Sequence, residues 1–578
     1  MRRIRPAVHA IRTCRYWTQS MRLSSSFNLM EIPGLWRRPS ALVMPARHGI
    51  SAAFRRIATL IERSRVSEDE PDHCNPLIAG SFALVVAGVP FAAFTTLVLH
   101  HFYSAGGFFY DSGFLTFLLS EQDPRLPTPH ISEGESFFAT HATPIFVAVA
   151  SIRRLLPVTD PQFFAGFTGL CHALPGLGVF WLLHSSFGLR RPLGVAIAAT
   201  VALAFSFNGL ALAIARYPHF EILIVGTFIL FSVALIRREL VVAGVCFGIC
   251  LTTREDAGFH LFAVLFLLLL LNRRHGVSWQ AQRPEIAFAV IALLYSITVL
   301  GVQAALITGH SSFARIYLGD PPFGTLTFPV VAWRLLGWLL YRTYIVLPAI
   351  GTVLWALRAR NPYIVVGYVA FLPWALLHLT AQNNIAGSLS GYYAYPFMIA
   401  SFWPLAGVVL DWRLRECRKS VAIVVLAFSA MITGSFTAVS RQYNPGHLEL
   451  PASLLSPPSL ARQATTERVM QQLARSKIDL GAVLVDGSVL ALAPDSYTYS
   501  ETVSGAATSH PDTVIYFAHG YEAEAARAIA SAAGLDHHYL APGTSIRLAT
   551  ARPLDRSSPL AALFIPTHAR DNDPPQHG

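Results

Sequence analysis

Between Leu77 and Val439 the chain is a succession of apolar runs, most about long enough to cross roughly 30 Å of hydrocarbon, separated by short loops carrying paired arginines. Few folds are open to such a chain. Backbone N–H and C=O groups in hydrocarbon must be satisfied within the segment, so each run is expected to be a helix. With 53% hydrophobic residues, only 13% charged, and a mean hydropathy of +0.46, the composition lies on the membrane side of soluble proteins. The expectation is an all-α polytopic membrane protein with about eleven transmembrane helices.

The arginine loops fix the sides. Starting from a basic cytoplasmic arm, 1–76, which lacks the apolar core of a secretory signal, the expected spans are 77–99, 163–187, 192–207, 219–236, 240–252, 257–271, 286–307, one ending at 358–361, 363–379, 395–410 and 421–439. Together they make a membrane domain over 77–440 with a long first external loop, 100–161. Two further apolar stretches, "PIFVAVASI" and the amphipathic "FPVVAWRLLGWLL", read as helices lying on the membrane. From 461 to 549 the pattern becomes that of a small soluble α/β module outside the cytoplasm: a helix, strands in "GAVLVDG", "DTVIYFAH" and "TSIRLAT", and a helix closed by Gly534. Residues 550–578 read as a disordered tail. The implied location is the inner (plasma) membrane of the cell envelope.

The net charge of +11 comes mostly from arginine, concentrated in the first 66 residues and in short pairs between apolar runs as cytoplasmic anchors of helix ends, so nucleic acid is not an expected partner. The six cysteines form no CxxC pair, and Cys246 with Cys250 falls on one face of an apolar helix as packing residues. No glycine-rich phosphate loop, GxSxG or HExxH is present. What chemistry the chain carries must lie in the charges it places at span ends.

Those charges gather on the external side. Asp111 stands in "GGFFYDSGF", followed by Glu133, Glu135 and His141; Arg216, His219 and Glu221 stand in "ARYPHFEI"; Arg254, Glu255 and Asp256 form a tight turn in "LTTREDAGFHL"; Tyr392, Tyr393 and Tyr395 enter a late span. An ion pair closing a turn and an aromatic belt would account for some of these. Carboxylates, imidazoles and an arginine on one side also supply the acid, base and cation needed for group transfer from a phosphate-bearing lipid.

The order of these motifs resembles that of a family of bacterial and archaeal polytopic membrane proteins of unknown function, related to the GT-C glycosyltransferases that use polyprenyl-phosphate sugars. Tyr110, Asp111 and Gly113 match its aromatic-Asp-x-Gly motif; Phe137, Phe138 and His141 its Phe-Phe-x-x-His motif; His219 and Glu221 its His-x-Glu motif; Arg254 to Gly258 its basic-Glu-Asp-Ala-Gly motif. The chain departs from the family in having Arg254 for the usual Lys and in placing Pro218 before the motif histidine instead of after it. The resemblance implies a GT-C-like fold and transfer of a sugar from a polyprenyl-phosphate donor in the membrane to an extracytoplasmic acceptor. By position, Asp111 would be the catalytic base.

Arg254 would hold the departing phosphate. Glu221, Glu255 and Asp256 would bind sugar hydroxyls, with Arg216, His141, His219, Tyr392 and Tyr393 lining the site. Oxygen ligands from Asp111, Glu221 and Asp256 would suit Mg²⁺ or Mn²⁺. The competing readings are a secondary transporter using the same groups as a proton relay and a non-catalytic membrane scaffold.

Overall fold

The computed structural model describes residues 76–104, 141–305, 326–389, 391–410, 416–439, 450–493, 510–520 and 522–567, with a few single positions and short pieces besides. All but three positions of the basic arm, and Asp111, lie outside the described residues. The described chain is mostly helical and carries a five-stranded sheet near its C-terminus.

Among the described residues seven helices are long and apolar enough to cross a membrane, and up to nine if each of two bent pairs counts as one span. The expected total of about eleven is not reached, because two of the runs form shorter helices, Ile222–Ile236 and Leu240–Thr253. At 1.5 Å per residue these are about 22 and 21 Å long, well short of the hydrocarbon thickness. Both stop at charged residues: Glu221 precedes the first and Arg254 follows the second.

The bends have local causes. Between Pro192–Ser206 and Gly209–Ala215 the axis turns by 46°, because Asn208 starts a new helix by accepting from the backbone N–H groups of Leu210 and Ala211, both at 2.9 Å. Phe328–Tyr341 meets Thr343–Ala359 at 85°. The first of these has no buried residue and exposes Phe328, Trp333, Leu339 and Leu340, as expected of a helix lying along a membrane surface. "PIFVAVASI" likewise forms a 12-residue helix, Pro144–Leu155, too short to span.

Near the C-terminus, β1 (Val483–Val485), β2 (Thr513–Phe517), β3 (His537–Leu540), β4 (Ile546–Thr550) and β5 (Ile565–Thr567) form one sheet in the order β1-β2-β4-β3-β5. β1 and β2 are parallel and the remaining pairs antiparallel. Two expectations are corrected. The chain beyond 550 is not all tail, since β5 pairs with β3; residues 568–578 lie outside the described residues. Nor is the module a separate unit. Phe102, Tyr103, Phe146, Phe164 and Phe220 share one continuous core with Met470, Val485, Phe517 and Leu548.

Polar contacts reinforce this junction. Tyr103 donates its hydroxyl to Glu467 at 2.6 Å, Arg462 Nε donates to the Tyr103 carbonyl at 2.8 Å, and Gln162 donates to Gln463 at 3.1 Å. The module therefore sits at the end of the bundle where Pro76–Tyr103 finishes and Asp160–Ser185 begins.

Candidate functional site

At this module end the segments 216–221 and 254–256 are largely buried, although they carry five charged residues and a histidine. Helix geometry explains their placement. Glu221 and Asp256 each occupy the N-cap position of the helix that follows, where the partial positive charge of the unpaired N–H groups favours a carboxylate. Arg254 caps the C-terminus of Leu240–Thr253, where a cation is favoured. The turn itself is closed by the Ala257 N–H donating to the Arg254 carbonyl at 3.2 Å.

Gly258 lets this turn dock. A Cβ there would fall 2.1 Å from the Ala292 carbonyl oxygen, so only glycine allows Ala257–Arg274 to approach Arg283–Gln303 so closely.

Arg254 organises the cluster. Its Nη1 donates to Glu221 Oε1 at 2.5 Å, and its Nε lies 3.1 Å from Asp256 Oδ1 and 3.6 Å from Glu255 Oε1. The two Nε contacts are electrostatic, because neither is aligned as a hydrogen bond. One guanidinium thus faces three carboxylates. The expectation that Arg254 holds the departing phosphate would require a phosphate to share this guanidinium with the carboxylates, against their repulsion. Of the expected Mg²⁺ or Mn²⁺ ligands Asp111, Glu221 and Asp256, Asp111 lies outside the described residues, and the guanidinium lies within ion-pair reach of the other two. No group of three or more His, Cys, Asp or Glu among the described residues could hold a metal ion.

The histidines have definable roles. His141 Nδ1 faces Glu255 Oε1 at 3.0 Å; a carboxylate only accepts, so Nδ1 carries the proton. The Ala142 N–H donates to the other oxygen of Glu255 at 3.1 Å. His219 Nδ1 accepts the Glu221 N–H at 3.5 Å, which turns a lone pair toward Glu221 Oε2 and accounts for their separation of 3.8 Å. Glu221 Oε2 and both oxygens of Asp256 consequently accept no hydrogen bond among the described residues.

An aromatic wall adjoins these carboxylates. Tyr392 stacks on His219 with centroids 4.5 Å apart and packs at a tilt of 33° against Tyr393 at 4.4 Å. Tyr393 packs against His378, His378 against Trp374, and Trp374 against His260 at 5.0 Å. His260 Nε2 lies 3.9 Å from Asp256 Oδ2 and has no hydrogen-bond partner among the described residues. The fold therefore brings His141, His219, Glu221, Arg254, Glu255, Asp256, Tyr392 and Tyr393 together. Arg216 is held to one side, its Nη2 donating to the Thr437 carbonyl at 3.0 Å.

Sequence reasoning missed His260, Trp374 and His378. For His260 there was a signal, since it follows Asp256 by four residues and so shares its helix face. Trp374 and His378 come from a distant helix, and only the tertiary fold brings them near.

The surface helix also contributes. Arg334 Nη1 donates to the Leu379 carbonyl at 2.8 Å, Trp338 Nε1 to that of Gly387 at 3.0 Å and Arg342 Nε to that of Ser388 at 3.0 Å. These bonds hold the strap that leads into Tyr392 and Tyr393. Compared with known proteins, the chain matches no family model and no curated sequence.

Proposed function

We propose that the chain is a multi-pass membrane glycosyltransferase of GT-C-like architecture, taking a sugar from a polyprenyl-phosphate donor and passing it to an acceptor on the module side. The observation that carries this reading is the set of buried carboxylate oxygens without donors, Glu221 Oε2 and Asp256 Oδ1 and Oδ2, beside a wall of aromatic and imidazole rings. A sugar offers what these lack: hydroxyls that donate to carboxylates, and an apolar ring face for an aromatic side chain. Burial makes an unpaired carboxylate costly, so a ligand that supplies donors gains accordingly.

The reaction is a displacement at the anomeric carbon. The acceptor hydroxyl oxygen bonds to that carbon, the bond from it to the donor phosphate oxygen breaks, and the phosphate leaves with the electron pair. Asp111 takes the acceptor proton, a role resting on the resemblance, and such general-base help contributes typically about 100- to 10,000-fold. Arg254 positions Glu221 and Asp256. The arginine loops give the orientation. Arg190, Arg191, Arg237, Arg238, Arg273, Arg274, Arg283, Arg358 and Arg360 belong to loops at the end away from the module, and the positive-inside tendency puts that end in the cytoplasm. Among the described residues outside the module, Arg153, Arg154, Arg216, Arg254, Arg334 and Arg342 belong to the module end, and Arg216 and Arg254 are buried there.

The test is mass spectrometry of polyprenyl-phosphate sugars in cells lacking the protein, carrying it, or carrying Asp111→Asn or Asp256→Asn at equal abundance. One lipid-linked sugar is expected to accumulate in the null and in both variants. A null strain with an unchanged lipid-linked sugar pool would reject the proposal and leave the transporter or scaffold reading.

A further inference from the structure

The bundle carries a second polar site at the end opposite the module. The cavity there measures about 200 Å³, with apolar walls that include Leu235, Leu265, Leu268 and Leu410 and with Arg238 and Glu285 also lining it. Between Phe231 and Arg238, both of which line it, seven residues of helix and cap rise about 10 Å. The walls thus form a bore about two helical turns deep, with Arg238 and Glu285 at the helix-end side.

Arg238 is unusual in its backbone. The helix Ile222–Ile236 ends in a left-handed cap, with the Glu239 N–H donating to the Ala234 carbonyl at 2.9 Å, and the left-handed position is filled by Arg238 at φ 61° instead of the glycine such caps favour. That conformation costs a side chain free energy, and here it accompanies a specific contact: Arg238 Nη1 donates to Glu285 Oε1 at 2.6 Å. Two polar groups in the cavity wall lack partners among the described residues. Glu285 is 6% exposed and its Oε2 accepts nothing; Trp403 is 1% exposed and its indole N–H donates to nothing.

We propose that this cavity binds a phosphatidylglycerol-type phospholipid, its phosphate on Arg238, a headgroup hydroxyl donating to Glu285, and one acyl chain in the bore. Charge selects the headgroup. Among the described residues the loops meeting here carry Arg237, Arg238, Arg273, Arg274 and Arg283 against Glu239 and Glu285, an excess that favours an anionic phosphodiester. Glu285 Oε2 selects for a donor, which phosphatidylcholine lacks. Lipid ester oxygens are the acceptors available to Trp403. The site depends on the chain spanning a membrane and is independent of sugar transfer.

The experiment is native mass spectrometry of the purified full chain after incubation with equal amounts of dioleoyl phosphatidylglycerol, phosphatidylethanolamine and phosphatidylcholine. Phosphatidylglycerol is expected to be retained at least about tenfold over the other two. Leu268→Trp, which fills the bore, and the double variant Arg238→Gly with Glu285→Gln should bring the three lipids to near parity. Glycine is at home at φ 61°, so the double variant keeps the cap intact if the tryptophan variant fails to fold. Leu270→Trp, on a half-exposed neighbour outside the cavity wall, should keep the preference. Equal retention of the three lipids by the intact chain, equal retention of phosphatidylethanolamine and phosphatidylglycerol, or a preference surviving in the double variant would each overturn the proposal.

Discussion

At the scale of single residues, the turn 254–258 shows how charge can be stable inside an apolar bundle. Arg254 and its three carboxylates are each buried, and removing the arginine takes away the cation they share. Arg254→Ala is therefore expected to lower stability by about 3 to 5 kcal/mol, the range for breaking a buried pair. Thermal unfolding of the purified chain would measure it, and a loss under about 1 kcal/mol would mean that the network is solvated. Gly258→Ala should cost about 1 to 3 kcal/mol through overpacking against the Ala292 carbonyl. Gly80→Ala meets nothing within 4 Å and serves as its control. The sequence made this turn legible, because three adjacent charges cannot sit inside a spanning helix. It did not reveal that Arg254 faces the carboxylates, since that depends on Glu221 arriving from another helix.

At the scale of elements, the two short helices and the surface helix together build the site. Ile222–Ile236 and Leu240–Thr253 stop early, and the polar cluster occupies the place where their missing turns would be. The amphipathic pattern of Phe328–Tyr341 identified it as a surface helix, whereas its hold on the 379–388 strap could not be read from pattern alone. Arg334→Ala together with Arg342→Ala removes charge-assisted bonds to that strap, each worth about 1.5 to 3 kcal/mol. Amide hydrogen exchange over 379–393 is expected to quicken at least tenfold, with residues 460–550 unchanged. Uniform exchange in both segments would show that the surface helix does not brace the strap. In the module, β3 and β5 escaped sequence reading because "HHYL" lacks alternation and "IPT" is short and contains proline.

At the scale of the whole molecule, the change of pattern near 461 looks like a domain boundary, but the packing crosses it. Periodicity reports which face of an element is apolar and says nothing about which neighbour covers it. Here the neighbours are the rings of Phe102, Phe146, Phe164 and Phe220, which continue into the module's core. A truncated chain ending at residue 449 would uncover these rings and leave the hydroxyl of Tyr103 without Glu467. Uncovering them forfeits about 1.5 to 3 kcal/mol per large apolar side chain, which is comparable with the total stability of a domain. The truncated chain is expected to aggregate on extraction into detergent, while the full chain unfolds in one cooperative transition. Tyr103→Phe tests the same junction more gently. It strips one hydrogen bond from a carboxylate and should lower the melting temperature while shifting both the sheet and the helical signals together. Two separate transitions in the intact protein, or a monodisperse truncated chain, would mean that the bundle and the sheet fold independently, and the site would then owe nothing to the module beside it.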